Sequence, residues 1–289
     1  MKKIFAFLIS ALVINACTDP FDDTSIWDKL NEHEKKINDI ENDVNGSDDT
    51  NNNTGIPGEA VSNKIYYTTA DGKKLFPANT EPAVFGAILV SNIYENGIGI
   101  LTFDDDIISI RNSAFSYCYG LTSITIPNRV TSIGNEAFNL CSGLKEVHIN
   151  DLSAWCNISF GGYYANPLSY AENLYLNGEL VTDLVIPDNV KEIKDYAFYS
   201  CSRLTSVTIP NSVTSIGNNA FRDCDGLTSI EIPNSVTSIG NFAFRDCTGL
   251  KEVHINDLDA WNNISFDDYY ANPLNNSNAK LYLNGVEVK

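Results

Sequence analysis

The sequence has few basic residues and few histidines. Lysine and arginine account for 19 of its 289 residues and aspartate and glutamate for 37, so the formal net charge is −18. Such an excess of carboxylates repels phosphate backbones, which argues against nucleic acid as a partner. Only three histidines occur, and no G-x-S-x-G, H-E-x-x-H or P-loop motif is present. We therefore predict that the protein is not an enzyme and needs no cofactor.

No hydrophobic run in the sequence is long enough to span a bilayer. The apolar stretch at residues 4–14 covers eleven positions, against about 20 for a membrane-spanning helix. It follows Lys2 and Lys3, and this order of charge and apolar residues predicts a secretory signal peptide at residues 1–16.

The tetrad Ile14-Asn15-Ala16-Cys17 resembles the lipobox of bacterial lipoproteins. The resemblance implies that Cys17 is acylated and that its lipid is the protein's only attachment to a membrane; an ordinary signal peptide with a chance cysteine is the alternative. The acidic residues after Cys17 resemble signals that direct Bacteroidetes lipoproteins to the outer face of the outer membrane. This second resemblance implies secretion and surface display.

Residues 25–45 carry a heptad pattern. It predicts a short coiled-coil helix within residues 17–45 that acts as a stalk and allows oligomers to form, with a single amphipathic helix as the alternative. Residues 46–62 are polar and rich in glycine and asparagine, and they predict a flexible linker. The heptad positions are Ile26, Leu30, His33, Ile37, Ile40 and Val44.

A 23-residue repeat organises the rest of the chain. Residues 121–143, 204–226 and 227–249 are close copies, and residues 98–120 and 181–203 are looser ones. In register they read L-x-x-I-x-I-P-x-x-V-x-x-I-x-x-x-A-F-x-x-C-x-x. Self-similarity at this period indicates a leucine-rich-repeat solenoid over residues 98–289, mainly β with short helical turns and with parallel stacked strands.

Five cysteines share position 21 of the repeat. We interpret them as a ladder of buried, unpaired small hydrophobic residues, with disulfides between neighbouring coils as the alternative. These ladder cysteines are Cys118, Cys141, Cys201, Cys224 and Cys247.

Two longer copies interrupt the repeat. Residues 144–180 and 250–289 both contain L-K-E-V-H-I-N-D-L and later L-Y-L-N-G, and we predict an elaborated coil in each, with a hairpin turn at its Asn-Gly pair. Residues 63–97 lack the repeat and predict an N-terminal β cap. The cap is expected to have strands near residues 64–68, 74–76 and 87–94, followed by the first repeat strand at 98–103.

The repeat resembles that of a known family. The combination I-P-x-x-V-x-x-I-G-x-x-A-F-x-x-C, within about residues 98–289, is similar to the BspA-like, or treponemal-type, leucine-rich repeat. Proteins of that family are associated with bacterial surfaces, and characterised members bind extracellular-matrix proteins or take part in adhesion. The resemblance implies a surface lipoprotein that binds an extracellular-matrix or other surface protein, in adhesion or host contact. A glycan-binding surface lipoprotein and a structural spacer in a surface assembly are the alternatives.

Two groups of side chains are candidate ligand surfaces. The first is the outward row on the stacked strands, because solenoids use such faces for binding; an ordinary solvated sheet surface is the alternative. The second is a tyrosine pair in each elaborated coil, because aromatic rings suit sugars and protein hot spots. The strand candidates are Thr122, Thr125, Lys145, His148, Thr205, Thr208, Thr228, Glu231, Lys251 and His254, and the pairs are Tyr163 with Tyr164 and Tyr269 with Tyr270.

No metal site is predicted. We take Asp151 and Asp257 as the candidate metal partners of His148 and His254, and one candidate partner in each copy is too few for a metal site. The acidic runs at residues 104–106 and 267–268 lack the glycine-spaced loop of a calcium site. We interpret these runs as solvated turns. Trp155 and Trp261 follow an apolar pattern and are expected in the core.

Overall fold

The computed structural model describes residues 61–77, 82–275 and 279–289. The predicted signal peptide, Cys17, the predicted coiled-coil stalk and the predicted linker up to residue 60 lie outside the described residues. The last two residues of the predicted linker, Val61 and Ser62, belong to the folded body. The Ile107 N–H donates to the Ser62 carbonyl at 2.9 Å, and the Ser62 hydroxyl is hydrogen-bonded to Asp106.

Short strands dominate the fold, and all helices among the described residues are one or two turns long. In the first half, residues 61–180, the strands are β1 Lys64–Thr69, β2 Leu89–Glu95, β3 Ile98–Phe103, β4 Ser109–Ile110, β5 Leu121–Thr125, β6 Ser132–Ile133, β7 Glu146–Ile149, β8 Ser159–Phe160, β9 Asn173–Leu176 and β10 Glu179–Leu180. In the second half, residues 181–289, they are β11 Asp183–Val185, β12 Glu192–Ile193, β13 Ser206–Thr208, β14 Ser215–Ile216, β15 Ser229–Glu231, β16 Ser238–Ile239, β17 Glu252–Ile255, β18 Ser265–Phe266, β19 Lys280–Leu283 and β20 Val286–Glu287. The helices are Pro82–Phe85, Leu152–Cys156, Leu168–Ala171 and Leu258–Asn262, with 3₁₀ turns at Tyr163–Ala165, Tyr269–Ala271 and Pro273–Asn275.

Each repeat copy forms one coil with two strands, and its apolar positions face a common core. Ala197, Phe198 and Cys201 of one such coil are 0% exposed. The phenylalanines at position 18 stack from coil to coil: the ring centroids of Phe198 and Phe221 are 5.4 Å apart with an interplanar angle of 10°. One coil buries too little apolar surface to be stable alone, so stacking is what stabilises the fold.

The stacked strands form separate sheets in the two halves. In the first half, β5, β7 and β9 are parallel and β10 closes the sheet as an antiparallel hairpin partner of β9. In the second half, β11, β13, β15, β17 and β19 are parallel, and β20 closes that sheet in the same way. Both hairpins turn at Asn-Gly pairs with positive φ, at Asn177–Gly178 and Asn284–Gly285.

The N-terminal segment is arranged differently from the prediction in two respects. Residues 98–103 form β3, but β3 is not the first strand of the parallel stack, because β1 lies between β3 and β5 and is antiparallel to both. Residues 74–76 form no strand, because both edges of β1 are already paired. Tyr67 crosses β3 at Gly99, where a Cβ would lie 2.0 Å from the tyrosine ring. No helix in the described part of the chain is long and apolar enough to cross a membrane.

The first elaborated coil packs directly against the coil at residues 181–203. The Trp155 indole Nε1 donates to the Ala197 carbonyl at 2.9 Å, and the Asn166 side chain donates to the Tyr196 carbonyl at 2.7 Å. Trp155 is 1% exposed and Trp261 is 7% exposed, so both tryptophans lie in the core, as expected from the sequence. The two halves therefore share one hydrophobic core, although their sheets are separate.

Candidate functional site

The strand row of the second half is an exposed polar surface. Parallel pairing places Thr208 beside Glu231, and Glu231 beside His254. Thr208 and Glu231 are exposed, and so are Thr205, Thr228 and Lys251 in a second row. The hydroxyl of each threonine in the second row donates to a carbonyl of the preceding coil, at 3.1 Å from Thr205 to Thr182 and 2.9 Å from Thr228 to Thr205. The structure thus leaves five of the six predicted side chains of the second half exposed and His254 half-buried.

Hydrogen bonds and stacking hold the side chains around His254. Its Nε2 atom lies 3.0 Å from Glu252, and its ring stacks on Tyr282 with centroids 5.1 Å apart. The Asn256 side chain donates to Glu231 at 3.1 Å. These contacts restrict the rotamers before any ligand binds, which lowers the entropy cost of binding.

The corresponding row of the first half is partly covered. Thr125 was expected at the surface, but it is 3% exposed because β1 lies alongside β5. The Tyr66 N–H donates to the Thr125 hydroxyl oxygen at 2.8 Å, and the Thr122 and Thr68 hydroxyls are 2.7 Å apart. Lys145 is exposed. The sequence-based placement of Thr125 on an accessible surface is therefore wrong, because the pairing partner of β5 comes from a distant, non-repeat segment.

His148 repeats the arrangement of His254 in a more enclosed position. Its Nε2 atom lies 3.2 Å from Glu146, and its ring stacks on Tyr175 at 4.7 Å. Burial lowers the pKa of His148, and the hydrogen bond to Glu146 partly opposes this shift. The lowered pKa keeps the imidazole of His148 neutral near pH 7, and the ring gains its charge only at lower pH.

Sequence reasoning missed four residues of these rows. Glu146 and Glu252 bind the histidines, and Tyr175 and Tyr282 stack on them. The sequence does mark the two tyrosines, because both lie in the duplicated L-Y-L-N-G motif. Placing them beside the histidines requires the register across about 25 intervening residues, which the sequence does not specify.

The tyrosine pairs differ between the two elaborated coils. Tyr163, Tyr269 and Tyr270 are exposed by 45%, 64% and 38%. Tyr164 is only half-buried rather than exposed, because it packs on Tyr163 at 3.9 Å and on Tyr170 at 6.1 Å between ring centroids. The rings of Tyr269 and Tyr270 are nearly perpendicular, at 88°. The first pair joins a larger group of tyrosines, and the second does not.

The described cysteines are free and buried. Within the ladder, the thiols of Cys141, Cys224 and Cys247 each donate to a phenylalanine carbonyl of the preceding coil, at 3.0–3.1 Å. Burial raises the pKa of Cys118 to about 11 and that of Cys201 and Cys247 to about 12. Their environment is therefore that of small hydrophobic residues rather than of reactive thiols.

The carboxylates near the predicted turns bind the protein's own backbone. Asp104 accepts from the Ile88 N–H at 2.7 Å, and Asp268 accepts from the N–H groups of Phe242 and Ala271. Asp151 caps the helix Leu152–Cys156 rather than approaching His148. Across the described ranges, no three histidine, cysteine, aspartate or glutamate side chains converge as a metal site would require.

Residues 92–164 and 169–279 match the family described as "BspA type Leucine rich repeat region", in six copies. A leucine-rich repeat protein of Treponema pallidum is 27% identical over 52% of this chain and 53% of its own length, with a TM-score of 0.27. One from Bacteroides capillosus is 29% identical over 36% of this chain and 77% of its own, with a TM-score of 0.30. One from Bacteroides ovatus is 21% identical over 63% and 60%, with a TM-score of 0.32. The chain thus spans about half the length of the Treponema protein. No curated protein matches the sequence.

Proposed function

Because the chain belongs to the BspA-type leucine-rich repeat family, we propose that it is a surface protein that binds a protein partner through the strand row of its second half. Proteins with this type of repeat are often surface proteins that mediate protein binding, and they are typically binding scaffolds rather than enzymes. Solenoids present extended faces of stacked strands to their partners.

The observation that carries the proposal is the row formed by Thr208, Glu231 and His254, of which the first two are exposed and His254 is half-buried. These side chains stand next to one another on consecutive parallel strands. Val185 lies at one end of this row and Tyr282, stacked on His254, at the other, so the side chains between them are polar. A face with hydroxyl, carboxylate and imidazole groups suits a polar protein surface with basic side chains, since the carboxylates of Glu231 and Glu252 outnumber the one ammonium group of Lys251.

The attachment of the protein is part of the same proposal. A lipid on Cys17 would anchor it to the outer membrane, and the stalk and linker of residues 17–60 would hold the repeats away from the bilayer. Support comes from the lipobox-like tetrad and the heptad pattern in the sequence. Adhesion or host contact is the role that this arrangement serves.

A binding screen with the full chain tests the proposal. The purified protein is offered to immobilised extracellular-matrix proteins at several salt concentrations, and bound protein is measured against concentration. We expect saturable binding to at least one protein, weakened by salt because Glu231 and Glu252 lie near the surface. Absence of saturable binding to any protein, on purified samples and on intact cells, would contradict the proposal and favour a structural spacer.

A further inference from the structure

A group of tyrosines from three coils lies on another side of the solenoid, in the turns after the second strands. We call it the tyrosine strip. It consists of Tyr117, Tyr119, Tyr163, Tyr164, Tyr170, Tyr196 and Tyr199. Only Tyr163 and Tyr164 stand out in the sequence, since the others occupy different repeat positions or flank the repeat.

The centre of the strip is a set of rings in mutual contact. Tyr163 lies 3.9 Å from Tyr164 and 6.1 Å from Tyr199, measured between ring centroids. Tyr164 is nearly parallel to Tyr170 at 6.1 Å, and Tyr199 lies 6.1 Å from Tyr196. These rings come from two coils on either side of the junction between the two halves, so the strip crosses that junction without a break.

The strip continues toward the N-terminal end of the solenoid. The Tyr170 hydroxyl accepts a hydrogen bond from the Leu140 N–H at 2.9 Å. In the next coil, the Tyr117 N–H donates to the Asn139 carbonyl at 2.8 Å, and Tyr117 lies 6.2 Å from Tyr119. At about 5 Å per coil, the exposed rings from Tyr119 to Tyr163 span roughly 10 Å. Tyr199, in the following coil, is 9% exposed, so it packs against Tyr163 rather than forming accessible surface, and Arg222 lies beside it.

Several side chains of the strip are exposed without serving the core. Tyr117 and Tyr119 are 60% and 56% exposed, Tyr163 is 45% exposed, and Leu140 between them is 37% exposed. Contiguous exposed apolar surface on a folded domain often marks a binding site. The strip takes two or three tyrosines from each of three coils, and Leu140 lies in the coil between them, so the strip is narrow and lacks the breadth of a stable protein interface.

Polar groups beside the rings supply both hydrogen-bond donors and acceptors. The Arg222 guanidinium lies over the Tyr199 ring at 5.7 Å from its centroid, and its Nε atom is 3.7 Å from the Asp223 carboxylate. Glu172, beside the Tyr170 helix, accepts from the Ser202 hydroxyl at 3.3 Å. The single arginine is thus balanced by carboxylates, and the strip has no excess of positive charge that would attract an anionic polymer.

We propose that the tyrosine strip binds a linear, neutral polysaccharide lying along the solenoid axis. Aromatic rings stack on the apolar faces of sugar rings, and the phenol, guanidinium and carboxylate groups can bond to the hydroxyls at their edges. The length and narrowness of the strip fit an extended chain of a few sugar units. This site is separate from the strand row, so it adds a second ligand class to the proposed protein partner.

The second tyrosine pair offers a matched comparison within the same chain. Tyr269 and Tyr270 occupy the same motif positions as Tyr163 and Tyr164. The rings of Tyr269 and Tyr270 are nearly perpendicular. The Arg245 guanidinium lies 5.3 Å from the ring centroid of Tyr270 and 5.4 Å from that of Phe242, so it occupies one face of each of these two rings. Where the first coil has Tyr170, the second has Asn276. The second pair therefore lacks the extended strip.

Native affinity electrophoresis of the full chain tests this inference. Gels contain neutral linear polysaccharides, such as a β-glucan, a xylan or amylose, or an anionic one, such as polygalacturonate. We expect retardation in at least one neutral gel. Tyr163→Ala, and separately Tyr117→Ala with Tyr119→Ala, should each weaken binding by roughly tenfold, the effect expected for losing one or two aromatic contacts. Tyr269→Ala should bind as the wild type does.

Three results would overturn the inference. The first is that no gel with a neutral polysaccharide retards the protein, and the second is that only the anionic gel retards it. The third is that Tyr163→Ala and Tyr269→Ala weaken polysaccharide binding equally. All substituted tyrosines are exposed, so the variants should fold. Circular dichroism of each variant checks this. Protein binding by the strand row should be unchanged in Tyr163→Ala, so failure of this inference and failure of the proposed function give different outcomes.

Discussion

The glycine at position 23 of the repeat lets consecutive coils approach each other closely. A Cβ at Gly143, Gly226 or Gly249 would lie 2.2–2.3 Å from a carbonyl oxygen of the preceding coil. The same position in the first copy, Gly120, has nothing within 4 Å of its hypothetical Cβ. Glycine is therefore required at these positions because a side chain would clash with the backbone of the preceding coil. The requirement holds only where a regular coil precedes the glycine.

Replacing Gly226 by alanine should destabilise the protein strongly. The new methyl group meets the Ser202 carbonyl, which belongs to the backbone and cannot rotate away. We expect Gly226→Ala to lower the free energy of unfolding by about 2–3 kcal/mol, measured by urea denaturation. Gly120→Ala, at the same repeat position without the contact, should change it by less than about 0.5 kcal/mol. Equal losses in the two variants would show that steric contact is not the reason for glycine.

The ladder thiols should be unreactive in the folded protein. Because burial raises the pKa of Cys118 to about 11 and of Cys201 to about 12, almost no thiolate exists at pH 8. We expect no alkylation of the described cysteines by iodoacetamide at pH 8 in native buffer and complete alkylation in denaturant without reductant, measured by mass spectrometry. Protection that persists in denaturant would instead indicate disulfides.

The raised pKa values of the buried thiols also determine how the stability of the fold changes with pH. Unfolded thiols ionise near pH 9, whereas the folded ones hold their protons to higher pH. The unfolded state therefore binds fewer protons between about pH 9 and 12, and stability contributed by the buried thiols is complete below pH 9 and lost as pH rises through that window. Cys118, which is 7% exposed, should be the first to be alkylated as pH increases.

Some backbone conformations could not be predicted from residue types. Positions 16 and 20 of the repeat have positive φ in every copy, including φ of 64° at Tyr117, 60° at Leu140 and 57° at Phe242. Glycine, asparagine and aspartate favour this region, but tyrosine, leucine and phenylalanine do not. The stacked coils impose the conformation, so it is a property of the repeat geometry rather than of the local sequence.

At the scale of elements, the elaborated coil joins the two halves through side-chain hydrogen bonds. Trp155 and Asn166 both donate to carbonyls of the coil at residues 181–203. The equivalent tryptophan, Trp261, makes no such hydrogen bond within the part of the chain that the structure describes. The same sequence motif therefore serves as a junction in the first half and lies at the edge of the described fold in the second.

Trp155→Phe should destabilise the protein more than Trp261→Phe. Phenylalanine retains most of the apolar contact at either site, but at residue 155 it leaves the Ala197 carbonyl without its indole donor. We expect Trp155→Phe to lower the free energy of unfolding by about 1–3 kcal/mol more than Trp261→Phe, measured by chemical denaturation. A difference within experimental error would mean that the junction depends on packing alone.

The repeat strands were largely predictable, and so were β1 and β2 of the cap, but the pairing of the cap strands was not. The L-x-x-I-x-I pattern placed the strands of each coil, because inward apolar residues recur at fixed spacing. The position of β1 between β3 and β5 was missed, because it depends on pairing between residues more than 30 positions apart. That one strand covers Thr125 and removes it from the predicted surface. The tyrosine strip was missed for the same reason, since its members come from separate coils.

At the scale of the whole molecule, the duplication yields two unequal faces. The first half has its strand row partly covered by β1 and carries the exposed tyrosines of the strip. The second half has an open strand row and a tyrosine pair partly covered by Arg245. Sequence repetition alone would predict two equivalent surfaces. We therefore propose protein binding by the strand row of the second half and not by its counterpart in the first half.

Charge reversal on that face is the most direct test of the account. Surface plasmon resonance measures the affinity of the full chain and of Glu231→Arg for the protein partner found in the screen. The matched control is Glu136→Arg, at an exposed glutamate in a turn of the first half. We predict that Glu231→Arg weakens binding by about tenfold or more, as expected for reversing a charge in an interface, and that Glu136→Arg binds nearly as tightly as the wild type. Wild-type affinity in Glu231→Arg, or equal losses in both variants, would contradict the assignment of the strand row as the binding face.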